Sequence, residues 1–448
     1  MPSLAPHPIG AEVPTLFTDP RPFTYRDGEL CCDNVPLAHL AKEHGSPLYI
    51  YSAAHIRHRF SLFNEAFSDQ RHKVCFAVKA NSSLAILRML AKLGAGFDIV
   101  SGGELERVRL ADESALKDVV FSGCGKQVWE IDAALEANIL LFNVESEEEL
   151  SLLEQRARNL GRRVRFALRV NPNVSASTHS YISTGLREHK FGVDIEKARD
   201  IYRAAGLSEW LDPAGVSVHI GSQILDVHAF SDAIRLVARL VLDLKSDGHH
   251  IRYIDAGGGL GIGYHDELNS PSFDASNLMQ EYAKALKENS SGVFDEATLI
   301  IEPGRFIIGQ AGALVTRVLF TKQNGAKSFV IVDAAMNDLI RPALYQAHHE
   351  IVPISQYCGT DEKAFDVVGP ICETADFFAR GREMPPLADD DLVALLDAGA
   401  YGMSQSSNYN TRVRPAEVLV DANDDGSAKV KLIRRRETLK DLFASEIL

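Results

Sequence analysis

Residues 74–103 read VCFAVKANSSLAILRMLAKLGAGFDIVSGG. The first five carry the β-branched and aromatic bias of a buried strand, and from Ser82 to Leu93 apolar residues recur at helical spacing. A second strand-like run, 97–100, follows a Gly-Ala-Gly turn. Strand, helix and strand in immediate succession are the repeat of a parallel α/β fold. Lys79 stands where the first strand gives way to the helix. In a barrel of alternating strands and helices, the loops after the strands build the active-site face. A lysine emerging there from the core is expected to have a lowered pKa and to be able to form a Schiff base. The plain alternative is a solvated or salt-bridged lysine at a strand end.

The same texture repeats along the chain. Short β-branched runs at 74–78, 97–100, 119–122, 139–142, 164–170, 216–220, 251–255 and 298–301 leave room for helices between them. Segments such as 147–160 and 230–244 have helical periodicity with polar faces. This predicts a parallel (β/α)8 barrel over 46–302. Chemically capable residues fall at the C-terminal ends of these strands: Lys79, Asp98 and Ser101, Asn171, His219 and Ser222, Gly257–Gly259, and Glu302. After Arg305 short alternating runs separated by turns predict a C-terminal antiparallel β domain over 303–448. Residues 1–45 read as a proline-broken arm followed by a strand, from Phe23 to Leu30, that adds to that domain. DANDDG at 421–426 reads as a hairpin tip, since an EF-hand loop needs more ligands and flanking helices.

The bulk properties narrow the function. The chain has 448 residues, 46% hydrophobic and 24% charged, which is ample for a large core and a second, smaller domain. A formal net charge of -14 disfavours nucleic acid and anionic membranes as partners and favours a small-molecule substrate. The N-terminus lacks a basic n-region with a continuous apolar stretch, and no run of about twenty apolar residues offers a membrane span. A cytoplasmic protein is therefore expected. Cysteines 31, 32, 75, 124, 358 and 372 form no C-x-x-C pair, and the adjacent His249-His250 and His348-His349 diverge on any regular element. No metal is assigned.

Three motifs carry chemistry. Gly257-Gly258-Gly259-Leu260-Gly261, directly after a strand, lets backbone N–H groups approach an anion without side chains in the way, and Ser222 in HIGSQ can add a hydroxyl. No Gly-Lys-Ser/Thr follows, so it is not a Walker loop. Glu302 sits in IEPGR, where Pro303 and Gly304 force a sharp exit from the eighth strand. It either pairs with Arg305 or sets a carboxylate against a ring nitrogen. A lysine, a phosphate cradle and a carboxylate on one face are the fittings of pyridoxal 5'-phosphate.

The segments FAVKAN, GFDIVSGGEL, HSYISTGL, KFGV, HIGSQ, GGGLG, EPGR, DAAMNDLIRPALY, GPICETADF, AGAYG and SSNYNTR together resemble the diaminopimelate decarboxylase family of the fold-type III, alanine-racemase-like enzymes. The likeness runs from about residue 23 to the C-terminus. It implies that Lys79 holds the cofactor covalently, that His219 stacks on its ring, and that Glu302 keeps the ring nitrogen protonated. Asp98 would orient the site. Ser222, Gly257, Gly258, Gly259 and Tyr401 would bind the phosphate, with Gly304 and Arg305 beside the cofactor. Arg305, Arg341 and Tyr345 would grip the substrate's distal carboxylate, Glu373 its distal ammonium, and Cys372 would return a proton to the carbanion. Tyr401 would also touch the substrate. Thr374 and Ala375 depart from the commoner serine and glycine of the family, a change that bears on loop flexibility rather than chemistry. The implied reaction converts meso-2,6-diaminopimelate to L-lysine and CO2 in a homodimer whose subunits share their sites. Related decarboxylases acting on D-lysine, ornithine, arginine or a carboxypolyamine are the alternative.

Overall fold

All eight expected strands form and pair in parallel, in chain order, as a closed barrel. They are His72–Ala77, Gly96–Ile99, Val119–Phe121, Leu141–Val144, Val164–Asn171, Leu211–Val218, Tyr253–Asp255 and Thr298–Ile301. The circle closes between the first and last of these, Val74 lying opposite Ile301. The computed structural model describes residues 21–174, 190–264, 273–422 and 427–447. The arm at 1–20, the HSYISTGL segment at 179–186 and the hairpin tip at 423–426 lie outside the described residues.

Helices between the strands start where the sequence supplies a cap. Ser101 Oγ accepts from the Glu104 N–H at 3.2 Å to open helix Gly102–Ala111. Ser146 does the same for the Glu149 N–H at 3.1 Å, ahead of Glu147–Asn159, whose first turn is acidic and last turn basic. Each such cap contributes about 1 kcal/mol, and the charge order suits the helix dipole.

The pleat of the strands places the site. Cys75, Val120, Leu141, Ala167 and Ile300 form an apolar plug inside the barrel. Side chains repeat on one face every second residue, so the next inward positions are Ala77, Ser122, Asn143, Arg169 and Glu302. A dry lower layer thus carries a polar layer one pleat nearer the C-terminal mouth. Asp98, Ser217 and Asp255, all buried, join it from the neighbouring strands.

Among the described residues the second sheet has nine strands. Its main path runs Phe377–Met384, Lys363–Val368, Lys327–Val332, Gly312–Asn324, Leu48–Ser52, Ala416–Ala422, Ala428–Arg434. Most pairings are antiparallel; Leu48–Ser52 with Ala416–Ala422, and Lys327–Val332 with Lys363–Val368, are parallel. A barrel beginning at 46 would include Leu48–Ser52, yet this strand pairs with Gly312–Asn324 and Ala416–Ala422 in the β domain. Burial does not distinguish the two placements, and its pairing partners do. All five residues are buried, as either a barrel strand or a central sheet strand requires, and Tyr51 Oη binds Glu417 in the neighbouring strand at 2.8 Å. The segment after the arm forms its own small sheet, Phe23–Arg26, Glu29–Cys32 and Val35–Pro36. It docks on the β domain through Phe23, Leu30 and Leu37 packed in one core with Ile50 and Val418, and through the Leu30 N–H to Ile354 carbonyl bond of 2.7 Å.

Candidate active site

Lys79 occupies the turn Val78–Ala80, just past the first barrel strand. Its Nζ donates to Asp98 Oδ2, while 35% of the side chain remains accessible at the barrel mouth. The β domain fixes this turn from above. The Tyr401 N–H donates to the Ala80 carbonyl at 2.8 Å, and Ser404 Oγ lies 3.3 Å from the same oxygen. Burial pulls the Lys79 ammonium down, but Asp98, Glu302 and Tyr401 outweigh it and hold the pKa above the ordinary lysine range. The depression expected from the sequence is therefore reversed. Negative charge around the amine, which the local sequence does not display, decides the sign.

Glu302 sits at the end of the eighth strand, 5% exposed. Ser122 Oγ and Asn143 Nδ2 each lie 3.3 Å from its Oε1. Asn143 Nδ2 also donates to Asp255 Oδ2 at 2.6 Å, and Ser217 Oγ to the same oxygen at 3.2 Å. Two buried carboxyls are thus held side by side, and among the described residues no cation lies within ion-pair distance of either. Burial, then Asp255 and Asp98, push Glu302 well above the usual carboxylate range; burial also raises Asp255. A protonated ring nitrogen against Glu302 supplies the positive charge that this cluster lacks, so the donor set fits a pyridoxal cofactor.

His219 follows the sixth strand, and its Nδ1 accepts from the Gly258 N–H at 3.1 Å. That bond fixes the neutral tautomer. Burial, with Arg169 and Lys79 nearby, holds the ring well below the ordinary histidine range. The Gly257 N–H is likewise spent, on Asp255 Oδ1 at 2.9 Å. What the bend offers an anion is therefore the next pair of N–H groups, those of Gly259 and Leu260, which have no acceptor among the described residues. Side chains are excluded from the bend by sterics. A Cβ on Gly258 would strike the Glu302 carbonyl, and one on Gly259 (φ 109°) the Gly221 carbonyl. Gly304 is equally confined, its would-be Cβ 2.8 Å from that of Ala80.

Beyond the glycine bend lie the cations. Arg305 donates to Ser222 Oγ at 3.0 Å and to Tyr264 Oη at 2.7 Å, with its Cζ 4.9 Å from the Tyr401 ring centroid. Arg341 enters from the β domain and stands 4.5 Å over the Tyr264 ring. Tyr345, one helical turn on, is bonded at 3.5 Å to Gln405. Barrel and β domain thus converge on Lys79, Asp98, His219, Ser222, Glu302, Gly304, Arg305, Arg341 and Tyr401. Cys372 and Glu373 are not brought to this group. They lie exposed on the loop after strand Lys363–Val368, where Cys372 N–H donates to Asn410 at 3.2 Å. Asp376 braces the loop by accepting from Met336 and Ile371 N–H groups, both at 2.7 Å.

Five positions of the site escaped the sequence reading: Ser122, Asn143, Ser217 and Asp255 in the polar layer around Glu302, and Tyr264 under the arginines. Ser122 and Asn143 were accessible by counting two residues along their strands from the apolar plug residues Val120 and Leu141.

The family described as "Pyridoxal-dependent decarboxylase, pyridoxal binding domain" matches residues 53–309. A diaminopimelate decarboxylase of Vibrio cholerae is 49% identical over 426 residues, covering 95% of this chain and 98% of that protein. Among solved structures, the Helicobacter pylori diaminopimelate decarboxylase complexed with L-lysine superposes with a TM-score of 0.84 at 40% identity, over 92% of this chain and 99% of that one. The M. jannaschii enzyme in complex with L-lysine gives 0.88 at 37% identity, over 96% and 99%.

Proposed function

The chain belongs to the diaminopimelate decarboxylase family, and from that premise we propose how its own residues carry the reaction. It is a pyridoxal-phosphate-dependent carboxy-lyase that converts meso-2,6-diaminopimelate to L-lysine and CO2, in lysine biosynthesis. The observation that carries the assignment of roles is the convergence at one barrel mouth of the Lys79–Asp98 pair, the Glu302 cluster and two arginines that have no carboxylate partner among the described residues.

When bound, pyridoxal phosphate supplies an electron sink for the pair left on Cα as CO2 departs. Lys79 is the covalent anchor. Asp98 orients its Nζ, and Glu302, steadied by Asn143, Ser122 and Asp255, holds the proton at the ring nitrogen. His219, locked by Gly258, presents a neutral ring face. Ser222 and the glycine bend, together with Tyr401, receive the phosphate. Arg305, Arg341 and Tyr345 grip the distal carboxylate, for which planar guanidinium forks suit better than ammonium groups. Cys372 returns a proton to Cα and Glu373 pairs with the distal ammonium. Both stand exposed and, among the described residues, are bonded only within their own β domain, which supports their delivery to a partner subunit's barrel in a homodimer with two composite sites. No helix among the described residues is long and apolar enough to cross a membrane, which is consistent with the cytoplasmic location we assign.

The test is stoichiometric. The holoenzyme given meso-2,6-diaminopimelate should release lysine and CO2 in equal amounts, and Lys79→Ala should release neither. Lysine without CO2, or activity in the variant, would overturn the assignment.

A further inference from the structure

The adjacent histidines His348 and His349 find separate partners. His348 Nδ1 meets Arg382 Nη2 at 3.0 Å, whereas His349 points inward, fully buried, between Arg341 and the end of strand Leu392–Leu395. His349 Nδ1 is 2.8 Å from the Leu396 carbonyl, which can only accept, so the ring proton sits on Nδ1. His349 Nε2 is 2.8 Å from Arg341 Nη1, which can only donate, so Nε2 presents its lone pair. The two bonds together define one neutral tautomer. The backbone is held as well, the His349 carbonyl accepting from Arg382 Nη1 at 3.1 Å.

Arg341 needs such a holder. It is 5% exposed, and among the described residues neither it nor Arg305 has a carboxylate within ion-pair distance. Both guanidiniums stand over the Tyr264 ring, at 4.5 Å and 5.6 Å, and the His349 ring meets the same tyrosine edge-on at 5.6 Å. Two buried like charges on one aromatic ring repel, and either would turn toward solvent or toward any nearby carbonyl if left free. A neutral acceptor is the one kind of partner that fixes a guanidinium without cancelling its charge. A carboxylate in place of His349 would hold Arg341 equally well but neutralise the charge that attracts a substrate carboxylate.

We propose that His349 is a positioning residue for substrate recognition: it clamps Arg341 through one Nη without placing an ion-pair partner on the guanidinium that is to receive the distal carboxylate. The inference rests on the reading of Arg341 given under Proposed function. Sequence inspection offered no signal for it beyond the unexplained histidine pair.

Ligand binding separates this role from a merely structural one. L-Lysine carries the distal amino-acid end, and cadaverine is the same diamine without the carboxylate. Both are titrated calorimetrically into the holoenzyme. Wild type should bind lysine more tightly than cadaverine. His349→Leu should weaken lysine about tenfold or more, the scale of a lost hydrogen bond to a charged group, and change cadaverine less than about twofold. His349→Gln, which keeps a carbonyl acceptor for Arg341, should stay within about threefold of wild type. His349→Asn, able to reach Leu396 but too short for Arg341, should behave like the leucine variant and serves in its place if that one does not fold. KM for meso-diaminopimelate should rise in the same order with kcat nearly unchanged. Equal weakening of lysine and cadaverine, or unchanged lysine affinity, would overturn the positioning role. A wild-type protein that binds the two ligands alike would instead overturn the reading of Arg341 itself, so the two failures are distinguishable.

Discussion

Glu104→Gln should change the stability little at pH 5 and make the protein clearly more stable at pH 8. Glu104 lies in the first turn of helix Gly102–Ala111, and its Oε2 accepts from the Val100 N–H at 2.7 Å. Burial raises its pKa from 4.5 to about 7, against the opposing pull of that N–H bond and of Lys79. A carboxyl whose folded pKa exceeds its unfolded one keeps its proton longer in the folded state. Its stabilising contribution is complete below pH 4.5 and is lost as pH rises through about 7. At about 1.4 kcal/mol per pH unit the interval sets a ceiling of about 3 kcal/mol, and partial solvent access reduces it to about 1–2 kcal/mol. Glutamine keeps the oxygen that accepts from Val100 and cannot ionise, so that loss disappears. For a chain of this length the gain amounts to about 1–3 °C in Tm at pH 8. Thermal melts of both holoproteins from pH 5 to pH 8 measure it. Parallel Tm curves, or a gain confined to pH 5, would refute the claim that Glu104 is forced to ionise against its surroundings.

Further expectations follow from the site. Borohydride reduction of the holoenzyme and peptide mapping should place the pyridoxyl label on Lys79, and a label on any other lysine would contradict the cofactor assignment. Glu302→Gln should depress kcat about a hundredfold or more while pyridoxal phosphate affinity changes much less, because the phosphate contacts remain; unchanged turnover would count against its role at the ring nitrogen. Mixing Lys79→Ala with Cys372→Ala under subunit exchange should restore roughly a quarter of wild-type activity, since about half the dimers are mixed and each has one intact site. Confirmed exchange with no recovered activity would mean that Cys372 serves its own barrel.

What the sequence could and could not disclose follows from the range of the interactions involved. Barrel strands are local, each a short buried run bounded by turns, and all eight were readable in order. Lys79, His219 and Glu302 were readable as well, because a strand end in a parallel barrel has only one functional face. Leu48–Ser52 falls inside the 46–302 span expected for the barrel but pairs in the mixed sheet, because its partners, Gly312–Asn324 and Ala416–Ala422, are hundreds of residues away. The raised pKa of Lys79 was missed for a similar reason. Asp98 and Glu302 approach its amine only after the barrel closes. Arg341 was visible as a candidate, but its clamp by His349 depends on a rotamer and on a carbonyl from another strand.

The central claim is that this barrel mouth recognises an amino acid at both ends, and D-lysine tests it most directly. D-Lysine offers the same reacting centre as meso-diaminopimelate and lacks only the distal carboxylate. Leaving two buried guanidiniums without their anion should cost kcat/KM about 10³-fold or more. A ratio of that size for meso-diaminopimelate over D-lysine is the predicted result. Values within about tenfold of each other would contradict the account, because Arg305 and Arg341 would then contribute little to the choice of substrate.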